Sequence, residues 1–126
     1  MFDLPEAWVW DFWVVDDGDL YHLFFLYASR ALKSPEARHY RASIGHAVST
    51  DLSSWTRVTD ALVRSDAPAA DDLATWTGSV IKGPDGLWYL YYTSATAAPN
   101  GSNMQTVSYA TSPDLYEWTK APGPIL

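Results

Sequence analysis

The sequence has no cysteine and few basic residues, with eight lysines and arginines against 15 acidic residues. Without cysteine, the chain has neither disulfide bridges nor thiolate metal ligands. The formal net charge of −7 argues against a nucleic-acid partner, because binding to a polyanion needs a cationic surface. No apolar run approaches the roughly 20 residues that span a membrane. The first residues, MFDLPEAW, lack the basic and apolar segments of a signal peptide, so a cytoplasmic location is the default expectation.

Patterns that would indicate a metal or a cofactor are also absent. The three histidines, His22, His39 and His46, share no recognised ligand spacing, and none is paired with a carboxylate as in the H-E-x-x-H motif. The sequence contains no glycine-rich loop for phosphate and no G-x-S-x-G elbow of a serine hydrolase. We therefore expect neither a metal site nor a cofactor, and carboxylates are the remaining candidates for catalysis.

Aromatic residues are abundant, with seven tryptophans and eight tyrosines. Trp and Tyr join a flat apolar face to one polar group, which suits both sugar-binding clefts and ordinary sheet cores. The stretch WVWDFW (8–13) places one carboxylate, Asp11, among three tryptophans. Asp11 is either a catalytic group beside a sugar-binding wall or a strand-end residue that bonds the backbone or an indole.

The chain repeats itself, and this repeat is the strongest indication of its fold. IGHAVSTDLSSWTR (44–57) matches VSYATSPDLYEWTK (107–120), and DGDLYHLFFLYAS (17–29) resembles DGLWYLYYTSA (85–95). The repeating unit is about 63 to 68 residues long. In both units, an Asp-Gly pair between aromatic or β-branched runs is typical of a tight hairpin. The shared S-x-D-L-x-x-W element predicts a turn whose Ser and Asp bond the backbone and whose Leu and Trp pack underneath.

These signals predict an all-β chain with little helix. We expect strands near 7–15, 19–28, 42–49 and 55–63 in the first unit, and near 75–82, 87–95, 104–111 and 117–121 in the second. Four antiparallel strands at a fixed repeat are typical of β-propeller blades, with 1–64 as the first blade and 65–126 as the second blade and the start of a third. Two blades cannot close a ring, so we expect further blades from a longer chain or from other copies of this one. A sandwich or jelly roll is the alternative.

In a propeller, the strand that carries Asp11 is the innermost of its blade and faces the central channel. The counterpart of WVWDFW in the second unit is TWTGSV (75–80), in which an aromatic residue recurs but the carboxylate does not. Asp51 and Asp114, in contrast, recur as part of the turn element and are expected to be structural. Asp11 does not recur in the second unit, which favours a role in chemistry rather than in folding. Glycoside hydrolysis uses carboxylates that flank the scissile bond, so a catalytic role for Asp11 is the interpretation we favour.

The ordered motifs resemble those of the five-bladed β-propeller glycoside hydrolases of families 32, 43 and 68. VWDFW (9–13) is similar to the V-W-D-x-W motif of levansucrases and, at Asp11, to the N-D-P-N-G motif of invertases. DGDLYHLFFLY, IGHAVSTDLSSW and TWTGSV resemble the D-G-x-Y-H-L-F-Y, W-G-H-A-x-S-x-D-L-x-x-W and W/F-S-G-S-x segments. Trp10 stands where invertases have Asn, and Ile44 where the second segment begins with Trp.

The resemblance implies a retaining glycoside hydrolase or fructosyltransferase that acts on fructosyl or arabinosyl furanosides, with Asp11 as the nucleophile. It implies that Trp10 and Trp13 wall the sugar subsite, and that Trp76 and Ser79 contact the glycosyl group or orient the Asp11 carboxylate. The family's transition-state-stabilising Asp and acid/base Glu lie in later blades, so this segment alone should be catalytically incomplete. The competing possibilities are a non-catalytic module that holds glycans on aromatic surfaces and a pyranoside-active enzyme of the same fold.

Overall fold

A computed structural model describes residues 2–126, which form two four-stranded antiparallel sheets. Each sheet is a meander, in which the strands pair in the order of the chain. The first sheet contains β1 (Ala7–Asp16), β2 (Tyr21–Ser29), β3 (Ser43–Ser49) and β4 (Thr56–Leu62). The second sheet contains β5 (Ala74–Lys82), β6 (Trp88–Ala97), β7 (Asn103–Ser112) and β8 (Thr119–Lys120).

The predicted all-β class, with two four-stranded sheets of the propeller type, is confirmed. Within the described residues, helix is confined to two short 3₁₀ segments between β2 and β3, Arg30–Leu32 and Pro35–Tyr40. No helix in this part of the chain is long and apolar enough to cross a membrane. β8 is shorter than predicted because the preceding turn extends to Glu117, whose N–H donates to the Asp114 carboxylate at 3.0 Å.

The turn between β1 and β2 is longer than the tight hairpin that the Asp17-Gly18 pair predicts. Asp17 Oδ1 accepts the N–H groups of Asp19 at 2.8 Å and Leu20 at 2.7 Å, so the loop extends through residue 20. Gly18 has a φ of +97°, and no atom lies within 4 Å of the position that a Cβ would take. Backbone conformation rather than space therefore selects glycine at this position.

The Ser-x-Asp-Leu turn is built in the same way in both sheets. After β3, Ser49 Oγ accepts the N–H of Leu52 at 2.9 Å, and Asp51 Oδ1 accepts that of Ser54 at 2.8 Å. Equivalent bonds hold the turn after β7. Leu115 is buried between the sheets, whereas Leu52 is 51% exposed. The prediction that both leucines pack under their turns is wrong for Leu52, because Leu115 has the opposing sheet to pack against and Leu52 lies on the outer face of the first sheet.

The main core lies between the two sheets. The middle of β2, from His22 to Leu26, is buried, as expected for a strand covered on both faces. Phe25 points to the outer side, where it joins a smaller cluster with Leu4 and Leu23. The larger cluster joins side chains of both sheets: Phe24, Leu26, Ile44, Leu90, Ala110 and Leu115. Because burial of a Leu or Phe side chain contributes about 2 kcal/mol, this interface supplies much of the stability of the pair of sheets.

The acidic connection between the sheets, 63–73, is fixed by a lysine from β8. Lys120 Nζ donates to Asp71 Oδ2 at 2.7 Å and to Ser65 Oγ at 2.9 Å, and Tyr92 donates to the same Asp71 oxygen at 2.9 Å. Asp71 is only 4% exposed. Burial raises the pKa of Asp71, but the hydrogen bonds, beginning with that of Lys120, outweigh burial and leave this pKa below its usual value. Asp71 is therefore a paired, buried anion that ties the connection to the second sheet.

Candidate active site

Asp11 is the extra residue of a β-bulge in β1. Trp10 pairs with Leu26 and Phe12 pairs with Phe25, so no residue of β2 lies opposite Asp11. The φ of Asp11 is +40°, a left-handed value that Asp adopts more readily than most residues with a side chain. Bulges re-aim a side chain away from the alternation of its strand. The carboxylate is accordingly exposed rather than packed into either face of the sheet.

β5 has the same bulge at the equivalent position. The register of its pairing with β6 shifts between Trp76 and Gly78, which leaves Thr77 without a partner. A Cβ on Gly78 would lie 1.9 Å from the carbonyl oxygen of Tyr91. The close approach of the two backbones therefore requires glycine immediately after the bulge residue.

The two bulge residues meet across the boundary between the sheets. Thr77 Oγ1 donates a hydrogen bond to Asp11 Oδ2 at 2.8 Å. Thr93 Oγ1 donates to the carbonyl oxygen of Thr77 at 3.2 Å, which ties the bulge to β6. Because a hydrogen bond to a carboxylate is stronger than one between neutral groups, the Thr77 hydroxyl holds Asp11 in one orientation.

Asp11 and Thr77 line a cavity of about 580 Å³ that both sheets share. This volume lies within the range of about 300–1,000 Å³ that is usual for small-molecule sites. Aromatic and polar side chains make up most of the remaining wall: Trp10, Trp76, His39, Tyr40, Asn103 and Gln105. Flat apolar surfaces beside amide and hydroxyl groups suit a ligand that has both C–H faces and hydroxyl groups.

The second 3₁₀ segment holds the two tryptophans in place. Trp76 Nε1 donates to the carbonyl oxygen of His39 at 2.6 Å. The His39 ring meets Trp10 edge to face, with ring centroids 5.9 Å apart. The guanidinium of Arg38 lies 5.3 Å from the centroid of Trp10, within cation–π distance. The segment 30–41, which carries four of the eight basic residues, thus forms one side of the site through His39 and Tyr40.

The structure brings three of the five predicted site residues into this cavity, namely Asp11, Trp10 and Trp76. Thr77 and His39 also line the cavity, and neither is among the residues predicted from the sequence. A signal for Thr77 was present, because alignment of VWDF with TWTG sets it opposite Asp11 in the repeat. His39 has no comparable signal, since its contacts join segments far apart in the chain.

Trp13 and Ser79 do not line the cavity. Trp13 packs into the core between the sheets and stacks on Phe24 with ring centroids 6.2 Å apart. Ser79 is exposed, and the hydroxyl that contacts Asp11 belongs to Thr77 instead. The substrate contacts predicted for Trp13 and Ser79 remain predictions that no contact in the cavity supports.

Asp11 is the single carboxylate that lines the cavity within residues 2–126. Over the same residues, the structure contains no cluster of three or more His, Asp or Glu side chains placed to hold a metal ion. The arrangement therefore offers one oriented carboxylate, a hydroxyl donor and an aromatic wall. Such a set can supply a nucleophile or a base, but it contains no second carboxyl group to act as a general acid.

The sequence matches the family model for the glycosyl hydrolases family 32 N-terminal domain over residues 13–126. It is 32% identical over 122 residues to Beta-fructofuranosidase 1 of Zea mays, a match that covers 95% of this chain and 17% of that protein. It is 41% identical over 78 residues to Fructan 1-exohydrolase w3 of Triticum aestivum, covering 61% of this chain and 13% of that protein. The fold is similar to the crystal structure of fructan 1-exohydrolase IIa from Cichorium intybus, with a TM-score of 0.71 and 26% identity over 96% of this chain and 22% of that chain. The chain thus spans about a fifth or less of the length of these relatives.

Proposed function

Because the chain belongs to glycosyl hydrolases family 32, whose N-terminal-domain model covers residues 13–126, we propose that the protein is a retaining glycoside hydrolase of furanosides. The observation that carries this proposal is the Asp11 carboxylate, held at 2.8 Å by Thr77 in a cavity with two tryptophans. β-Fructofuranosides are the first candidate substrates, since the relatives are named as a β-fructofuranosidase and fructan exohydrolases. Arabinofuranosides are the second, and transfer of the fructosyl group to a sugar acceptor would use the same first step.

In this proposal Asp11 is the nucleophile. The bond from Thr77 engages Oδ2 and leaves Oδ1 to attack the anomeric carbon. Attack displaces the leaving-group oxygen and forms a covalent glycosyl ester with Asp11, which water then hydrolyses with overall retention. Thr77 contributes by fixing the direction of the attacking carboxylate before the substrate arrives.

Trp10 and Trp76 would bind the sugar by its apolar face, as both line the cavity beside Asp11. The polar groups on the same wall, from His39, Asn103 and Gln105, would hydrogen-bond sugar hydroxyls. An aromatic surface and a few convergent polar groups together select both the shape and the hydroxyl pattern of a ligand.

The proposed reaction also needs a general acid to protonate the departing oxygen, on a carboxyl group about 5 Å from the nucleophile. Asp11 is the sole carboxylate in the cavity within residues 2–126. We therefore propose that further propeller blades supply the acid, either from elsewhere in the same protein or from other copies of the chain. The outer face of the first sheet, where Phe12 is 71% and Val14 45% exposed, is a surface that such blades would cover.

The variant Asp11→Asn of the full protein tests the nucleophile, with sucrose and an aryl β-fructofuranoside as substrates. Asn keeps the shape of Asp but is a poor nucleophile, so we expect kcat to fall by about 10³-fold or more. Asp51→Asn is the matched control, because Asp51 lies in the repeated turn and its Oδ1 can be replaced by the amide oxygen. Turnover of Asp11→Asn close to that of the control would overturn the assignment.

The alternative of a non-catalytic glycan-binding module predicts a different outcome. The wild-type protein would then bind fructooligosaccharides without releasing sugar from either substrate. If sugar is released, NMR of the first-formed anomer distinguishes the retaining reaction proposed here from an inverting one.

A further inference from the structure

Asp17, His22 and His46 form a row of hydrogen bonds from the β1–β2 turn into the interface between the sheets. Asp17 Oδ2 lies 2.7 Å from His22 Nε2, and His22 Nδ1 lies 2.8 Å from His46 Nε2. Both histidines are fully buried, whereas the Asp17 side chain is 24% exposed. The remaining ring nitrogen, His46 Nδ1, is buried and has no hydrogen-bond partner within residues 2–126. Asp17, at one end of the row, is partly exposed to solvent, and His46 Nδ1, at the other end, lies in the core.

The Asp17 carboxylate fixes the position of every proton in this row. A carboxylate only accepts hydrogen bonds, so His22 Nε2 must carry a proton. In a neutral imidazole the other nitrogen is then an acceptor, so His46 Nε2 must be the donor to His22 Nδ1. His46 Nδ1 is left with a lone pair and no proton. The geometry thus selects one tautomer for each of the two rings.

Uptake of one proton by either ring places an N–H at His46 Nδ1. If His46 takes the proton, both of its nitrogens become donors. If His22 takes it, His22 Nδ1 becomes a donor, and His46 must accept through Nε2 and carry its own proton on Nδ1. Either way, a buried N–H without an acceptor accompanies a buried positive charge, and both are costly. Consistent with this, burial and then the proximity of His22 lower the pKa of His46 to about 3, although Asp114 acts in the opposite direction.

The histidine pair (His22 and His46) lies where the two sheets contact each other. The Tyr116 ring, from the turn before β8, lies with its centroid 5.3 Å from each imidazole. Phe24 of the first sheet stacks on His46 with centroids 4.5 Å apart. The titratable groups that face the pair are Asp17 from the first turn, and Asp114 and Tyr116 from the second sheet. A charge on the pair would therefore act directly on the packing between the sheets.

We propose that the Asp17–His22–His46 row is an acid-sensitive latch on this interface, closed while both rings are neutral and opened by uptake of a single proton. Asp11 and Thr77 belong to different sheets, so opening of the interface separates the residues that meet in the cavity. The latch links the geometry of the cavity to pH, although no member of the row lines the cavity. Its test requires no enzymatic activity and is independent of the glycosidase proposal.

Histidine-selective ¹⁵N NMR of the protein tests the proton positions. At pH 7 we expect both rings of the pair to carry their proton on Nε2 and none on Nδ1. We expect His46 to keep this form well below the ordinary histidine pKa of about 6.5. Signals are assigned by their loss in single variants, and His39, which lies outside the row, serves as the comparison. A proton on Nδ1 of either ring at pH 7, or titration of His46 near 6.5, would overturn the latch.

The variant Asp17→Asn tests the direction of the row. Asp17 Oδ1 holds the turn by accepting the Leu20 N–H, so an Asn that keeps this bond presents its NH₂ group to His22. A donor at that point reverses both tautomers and places an N–H at His46 Nδ1. We expect reversed ¹⁵N signals and loss of the closed state at a higher pH than in the wild type. Unchanged tautomers would show that Asp17 does not set the direction.

The pH dependence of unfolding measures the latch itself. The pKa of His46 is lower in the folded protein than its unfolded value of 6.5, so its stabilising effect is complete above pH 6.5 and is lost as pH falls toward 3. As pH falls from 6 to 4, protonation of His46 in the unfolded chain should by itself raise the unfolding equilibrium constant about tenfold per pH unit. His46→Phe should lose that dependence and His39→Phe should keep it. Equal dependence of unfolding on pH in the wild type and in His46→Phe would contradict the proposal. If His46→Phe does not fold, the NMR test of the proton positions decides instead.

Discussion

Substitution of Gly78 by alanine should destabilise the second sheet at the bulge that presents Thr77. An added Cβ would lie 1.9 Å from the carbonyl oxygen of Tyr91, whereas ordinary contacts begin near 3.4 Å. β5 and β6 would have to separate locally by about 1.5 Å, which stretches the ladder hydrogen bonds on either side of the bulge beyond bonding distance. Loss of two such bonds at about 1 kcal/mol each, with an overpacking cost of about 1–3 kcal/mol, lowers the free energy of unfolding by roughly 3–5 kcal/mol.

Urea denaturation, followed by far-UV circular dichroism, measures this loss as a shift of the midpoint at unchanged m-value. Gly123→Ala is the matched control, because nothing lies within 4 Å of its Cβ position and its backbone is not left-handed. We expect the control to stay within about 0.5 kcal/mol of wild type. If Gly78→Ala unfolds like Gly123→Ala, close backbone approach does not select glycine at the bulge and does not position Thr77.

Two further substitutions test individual hydrogen bonds. Thr77→Val keeps the shape of the side chain but removes the donor to Asp11, so we expect kcat of the full protein to fall about 10- to 100-fold with little change in the free energy of unfolding. Thr77→Ser should retain activity. Equal kcat values for the Val and Ser variants would exclude an orienting role for the hydroxyl. Lys120→Met removes the cation that lies 2.7 Å from the buried Asp71 carboxylate, and urea denaturation should show that the free energy of unfolding falls by about 3 kcal/mol. Part of this loss should return when Asp71→Asn is added to Lys120→Met. A loss below about 0.5 kcal/mol would show that the Asp71 carboxylate does not depend on Lys120.

The strands could be predicted because their residues alone satisfy the geometry of a sheet. The apolar run of β2 needs cover on both faces, and the residues from His22 to Leu26 obtain it. The Asp-Gly turns recur with positive φ at Gly18 and Gly86. Leu52 shows the limit of such reasoning, because a repeat predicts equal local structure but not equal surroundings. The same residue type is buried at Leu115 only because a second sheet lies against it.

The candidate site could be predicted only in part, because the bulge in β1 changes which side chains share a face. In a regular strand, Asp11 and Trp13 would point to the same side. The extra residue shifts the alternation, so Trp13 joins Trp10 in facing the core between the sheets, where it stacks on Phe24. Nothing in the order of residues marks that shift. Thr77 was not predicted for a related reason. Threonine is common in strands, and only the register of β5 shows that this one is the extra residue of a bulge.

The paired bulges explain how a repeated fold yields a site that is not repeated. In each sheet, the bulge lifts one residue out of the ladder and away from the packed faces, so its side chain can change without disturbing the core. In the first sheet this residue is Asp11, a type that adopts left-handed φ at little cost. In the second it is Thr77, whose hydroxyl reaches the carboxylate at 2.8 Å. The repeat thus brings two equivalent positions together. Because one position holds a carboxylate and the other a hydroxyl group, the first side chain can act on a ligand while the second orients it.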